Sequence, residues 1–212
     1  VSQTESKSQQ AAGPTVALEI PSAQVLADQA SVIQDLEFVM DCCKRLLAEL
    51  AAPNADADAA VPVALWSSAL VAYARCFNGD GQSGLTADDV QSLPLQGAVT
   101  TFHEWLIGER DKLLTHPANP FDAAKVGAAL TPTGRRDRRV EGIAVFSTSR
   151  ILIDATGIQQ LGGLASELAK QTATRATKQQ DVVLTDAQKL DFATLSKAPE
   201  LLAQPPAAPV QP

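Results

Sequence analysis

The apolar residues of this chain recur mostly at three- and four-residue steps, and that spacing sets its elements. Ile33, Leu36, Val39, Met40, Cys43, Leu46, Leu47 and Leu50 continue a stripe begun at Val25 and Leu26. Such a stripe is one face of an amphipathic helix. It predicts a helix over about 25–50, opened by Pro21-Ser22, stopped before Pro53, with a break near Gln29–Ser31. Residues 53–60, PNADADAA, form a loop of turn residues. Pro62 suits the first turn of a second helix, PVALWSSALVAYARCF, which runs to Phe77 and is apolar almost all round. A helix of that kind sits at the centre of a bundle. Trp66 and Tyr73 share one of its faces and are expected to be at least half-buried. Its one charge, Arg75, needs a partner, with Asp41 and Glu37 as candidates on the first helix and a reach toward the Arg110 region of a facing helix as the equal alternative.

NGDGQSG (78–84) is a loop. Its Asn78, Asp80 and Gln82 do not make a calcium loop, because Ser83 stands where the sixth-position glycine is required. Thr86, Asp88 and Asp89 open a short helix closed by Pro94. A third main helix is predicted over 98–116. Trp105, Leu106, Leu113 and Leu114 supply its apolar side, and Glu109, Arg110, Asp111 and Lys112 are four charges in a row. It ends at His116, because a residue before proline is pushed out of the α region. The negative end of a helix there favours the imidazolium form.

Beyond Pro117 the pattern weakens. Phe121–Leu130 reads as a short helix or irregular, and 132–139 as a basic loop with Arg135, Arg136, Arg138 and Arg139. The one β-like stretch is 140–154, read as a hairpin turning at Ser147-Thr148-Ser149. Ile158, Leu161, Leu164, Ala165 and Leu168 mark a last amphipathic helix to about Ala176, weakened by Gly162-Gly163. The division that follows is a disordered tail at 1–20, a helical bundle at 21–132, a hairpin with a C-terminal helix packing on the bundle at 133–196, and a proline-rich tail at 197–212. Residues 25–50, 62–77 and 98–116 are expected to pack as antiparallel neighbours.

Composition narrows the function. The 212 residues carry a net charge of −7 and are 45% hydrophobic. A pI near 4.8 argues against a protein that coats nucleic acid through bulk positive charge and against a DNA-binding role. No run of about 20 apolar residues offers a membrane span. The polar VSQTESKSQQ start lacks the apolar core of a signal peptide, so a cytoplasmic location is expected. Cys42, Cys43 and Cys76 have neither the even count of a disulfide framework nor zinc spacing, and read as reduced core-sized residues. No nucleophile elbow, phosphate loop or dinucleotide fingerprint occurs. Neither a metal nor a cofactor is expected.

The order of long helix, apolar helix, loop and helix ending in Arg-Asp-x4-His resembles the HEPN domains. WSSALVAYARCF (66–77), HEWL (103–106) and RDKLLTH (110–116) carry the resemblance over about residues 25–130. It implies a mainly α, up-and-down helical bundle with a small β-hairpin extension. It also implies a metal-independent endoribonuclease of toxin–antitoxin or phage-defence type, acting on RNA as a homodimer, with an antitoxin protein as a further partner. His116 would be the general acid or base, and Arg110 would hold the phosphate and stabilise charge on it. Asp111 completes the candidate set as a group orienting His116 or Arg110. Its plainer role is a solvated charge or a partner of Lys112. Active members often have Asn at that position, and a carboxylate beside a phosphate is electrostatically unfavourable. Residues six apart on a regular helix lie about 240° apart round its axis. A site built from both therefore uses the break at Pro117 or a second subunit. His103 is a further candidate on nearly the face of Arg110, with a satisfied surface histidine as its simpler reading. The alternative function is a catalytically silent HEPN-like interaction or scaffold module.

Overall fold

A computed structural model describes residues 15–52, 60–78, 83–115, 122–132, 139–149 and 154–201. Its elements are α1 (Pro21–Ala51), α2 (Ala60–Arg75), α3 (Ala87–Gln91), α4 (Val99–Thr115), β1 (Asp122–Leu130), β2 (Val140–Ser149), α5 (Ala155–Ala187) and α6 (Phe192–Leu195). Among the described residues the fold is mainly α with one two-stranded antiparallel hairpin, as the pattern predicts.

The most extensive seam joins α1 to α5. Val32, Leu36, Val39, Cys42, Cys43 and Leu46 are buried on α1. Ile158, Leu161, Leu164, Ala165 and Leu168 are buried on α5. All belong to one buried cluster, and each fully buried aliphatic side chain contributes about 2 kcal/mol. The two helices run in opposite directions. Gln179, late in α5, donates to the Ser22 carbonyl at the start of α1 (2.8 Å), while Gly162, early in α5, lies beside Cys43, late in α1. A Cβ on Gly162 would sit 3.5 Å from the Cys43 Cβ, so the glycine marks a close helix approach. Asp154 caps α5 by accepting from the Gly157 N–H at 2.8 Å.

Helix α2 also packs on α1. Arg75, at the end of α2, donates through Nε to Asp35 Oδ2 at 2.6 Å, so its partner is Asp35 rather than Asp41 or Glu37. Asp35 lies about one α2 length back from the end of α1. Only an antiparallel arrangement lets the short connection between them reach. Trp66 and Tyr73 are fully buried, and both face α4. Gly97, at φ 96°, turns the chain into α4 with a backbone that L side chains rarely adopt.

Helix α3 is tied down by polar contacts. Its Asp89 carboxylate accepts from the Thr86 N–H at 2.8 Å, a capping box with Asp at the third position. Arg175 reaches across from α5 and grips both oxygens of the buried Asp89. Gln171 of α5 also donates to Ser92 Oγ at 3.0 Å.

Several expectations are corrected. Helix α1 runs unbroken through Gln29–Ser31, because Gln29 and Val32 both turn inward and keep the stripe continuous. Helix α5 continues past Ala176 to Ala187, carried by Val183, which is again buried. The hairpin begins at Asp122, and not within the 140–154 stretch. The stretch read as helical or irregular is strand β1, and Ser147–Ser149 lies within β2 rather than at a turn. Alanines and a glycine masked the strand's alternation. The terminal segments are not wholly without structure: Val16 bridges Glu200, and Leu201 N–H donates to the Thr15 carbonyl at 2.7 Å. No helix among the described residues is long and apolar enough to cross a bilayer.

Two substitutions test this packing. Arg175→Ala strands a buried carboxylate and is expected to cost about 3 kcal/mol, the lower end for a broken buried pair because Arg175 is itself partly exposed. Gly163→Ala meets no atom within 4 Å and is expected to add about 1 kcal/mol through helix propensity. Chemical denaturation of each variant against the wild type reads both signs.

Candidate active site

Helix α4 carries the candidate residues, and its faces have different fates. His103 and Leu106 form its buried edge. The His103 ring is held in an aromatic pocket, 4.5 Å centroid to centroid from Phe77 and 5.8 Å from Tyr73. Tyr73 Oη and His103 Nδ1 are 2.8 Å apart. A buried phenol donating to Nδ1 matches a neutral imidazole with its own proton on Nε2. Burial lowers the pKa of His103 from 6.5, with Glu104 opposing the shift, and raises that of Tyr73. The satisfied-histidine reading therefore holds in kind but not in place, since His103 is buried and not on the surface. Among the described residues no hydrogen bond or ion pair joins it to Arg110.

One turn beyond Leu106, the chain reaches the charged run. The Arg110 side chain is 23% exposed, and its Nε lies 3.1 Å from Asp111 Oδ1. The Nε atom is itself buried, and that contact lacks the direction of a hydrogen bond. The pair is thus a loose ion pair between sequence neighbours, with the Asp111 side chain on the solvent side at 57% exposure. Lys112 does not pair with Asp111. It binds Glu109 three residues back, Nζ to Oε1 at 2.6 Å. His116 lies outside the described residues, as do the side chains of Leu113 and Leu114. The structure brings Arg110 and Asp111 together at the C-terminal half of α4.

A second feature of α4 was not foreseen. An apolar groove of about 530 Å³ opens beside its first half, lined by Leu95, Val99, Phe102 and Trp105 with Gly163 and Leu164 of α5. Phe102 and Trp105 stack along it, 5.7 Å between centroids. The i, i+3 spacing of those two aromatics was visible, but only the arrival of α5 makes a groove of it. The three cysteines are buried. Desolvation pushes the thiols of Cys43 and Cys76 up to about 12, so they are unreactive near neutral pH. The described residues contain no cluster of His, Cys, Asp and Glu able to hold a metal.

With this geometry in view, comparison with known proteins adds nothing to it: no protein family, curated protein or solved structure matches the chain.

The buried histidine gives a pH signature. Its folded pKa lies below its unfolded value of 6.5, so below that value the unfolded state binds the extra proton more readily. Stability from this residue is complete above pH 6.5 and is lost as the pH falls toward the folded pKa. Urea unfolding between pH 8 and 5 is expected to show the decline, and His103→Gln is expected to flatten it. Equal slopes in the two proteins would place the titration elsewhere.

Proposed function

We propose that this chain is a HEPN-like, metal-independent endoribonuclease of toxin–antitoxin or phage-defence type, working in the cytoplasm. The observation that carries the reading is Arg110. It is a half-buried guanidinium late in α4 of a helical bundle, six residues before His116. Helix α4 leans on the apolar α2 through Trp66, Tyr73 and Phe77, which gives the arginine a rigid base. In this reading His116 takes the proton from a ribose 2′-hydroxyl or returns one to the leaving 5′-oxygen. The 2′-oxygen forms a bond to phosphorus as the P–O5′ bond breaks, and Arg110 balances the charge on the phosphoryl oxygens. Two copies of the chain share the site, one imidazole giving a proton while its mate accepts one. An antitoxin protein would hold the enzyme inactive.

Asp111 favours a second reading. Its carboxylate already stands 3.1 Å from Arg110 Nε, where it repels an incoming phosphate and partly neutralises the guanidinium. A chain so arranged serves as a catalytically silent HEPN-like interaction module.

Incubation with total RNA in the presence of a chelator separates the two. The enzyme is expected to leave 5′-hydroxyl ends and 2′,3′-cyclic or 3′-phosphates. His116→Ala is expected to slow cleavage by about a hundredfold to ten-thousandfold, and Arg110→Ala by a comparable factor. Asp111→Asn is expected to hold or raise the rate. RNA left intact by the wild type and by Asp111→Asn alike would overturn the enzyme reading and leave the silent module.

A further inference from the structure

The hairpin formed by β1 and β2 has an unpartnered apolar face. Val126 pairs with Val145 and Ala128 with Ile143 across the ladder, so these four share one side of the ribbon. An irregularity between Ala129 and Leu130 sets Leu130 opposite Val140, which extends the apolar row by one more pair. Val126, Leu130, Val140, Ile143 and Val145 are each 58–72% exposed. The other side has a different character: Lys125 pairs with Phe146, whose ring lies 3.8 Å from the position of a Cβ on Gly127.

Two strands alone are marginal in water and normally need a third strand or a covering layer. Among the described residues neither strand packs substantially against a helix. Five large side chains at this exposure present on the order of 500 Å² of apolar surface, toward the upper end of patches carried by monomers.

We propose that this face is a homodimer interface, with the apolar side of one hairpin packed on the same side of a second copy about a two-fold axis. The row Val126, Ala128, Leu130, Val140, Ile143 and Val145 is itself wholly aliphatic, and the charge beside it is Glu141, the extra residue of the irregularity, at the end of the row next to Val140. A two-fold contact requires only that a patch complement itself, and a flat row of mainly branched aliphatics does. Two such faces bury on the order of 1,000 Å², about the threshold for a specific interface. The contact stands whether or not the chain cleaves RNA. If it does, the contact has a consequence for the shared site, because six residues separate the last residue of α4 from β1. Joined hairpins then tether the two Arg110-to-His116 segments to one another.

Sedimentation of the full chain tests the contact, and intersubunit disulfide formation tests which face makes it. The wild type is expected to sediment as a dimer at micromolar concentration. Val126→Glu is expected to weaken the dimer on the order of a hundredfold, and Lys125→Glu, on the opposite side, to leave it intact. Under mild oxidation Val126→Cys is expected to cross-link within the dimer and Lys125→Cys not. This readout survives even if the glutamate variant loosens the hairpin, and the native thiols are buried. A monomeric wild type, a dimer indifferent to Val126→Glu, or equal cross-linking from both positions would overturn the proposal. Loss of ribonuclease activity with the dimer intact would count only against the RNA reading.

Discussion

The antiparallel seam between α1 and α5 is the constraint on which the other elements depend. It joins the first long helix to the last, so the chain between them is held as one closed excursion. Gly162 lies against Cys43 near one end of the seam, and Gln179 bonds the Ser22 carbonyl near the other. With both ends pinned, α2 packs on α1 and α4 packs on α2. The ion pair of Arg175 with Asp89 then draws α3 onto α5, and the groove beside Trp105 is the gap left where α4 and α5 fail to meet.

The same geometry separates two kinds of polar residue on α4. His103 is committed to Tyr73 inside the aromatic layer, where its neutral form holds packing together. Arg110, two turns later, lies at the margin, with one nitrogen buried and an acidic neighbour beside it. In the proposed function that partly enclosed guanidinium would bind phosphate through charge-assisted hydrogen bonds. The adjacent carboxylate is also the arrangement that would silence it. Within the proposed function, the choice between catalyst and silent module turns on the Arg110–Asp111 pair.

The hairpin departs from the rest of the molecule. Helices α1, α2 and α5 bury their apolar stripes against one another, while the strands leave theirs in solvent. In the proposed dimer a second copy would cover them without altering the bundle.

Much of the fold was legible in the residues themselves. A three- and four-residue apolar period places α1, α2 and α5 because burial demands one continuous stripe per helix, and the all-round apolar character of 62–77 marks α2 as central. The Arg110-Asp111-x4-His116 run is likewise a matter of sequence, as is the resemblance built on it. Tertiary structure decided the rest. Asp35 became the partner of Arg75 because the offset between two helices, which neither helix encodes alone, brings them level. His103 went inside because α2 and the turn after it supplied Tyr73 and Phe77 to receive it. Residues 122–130 became a strand because β2 offered a ladder to a stretch whose alanines and glycine have little preference of their own. Local pattern fixes which face of an element is apolar, and only the packed chain determines what that face meets.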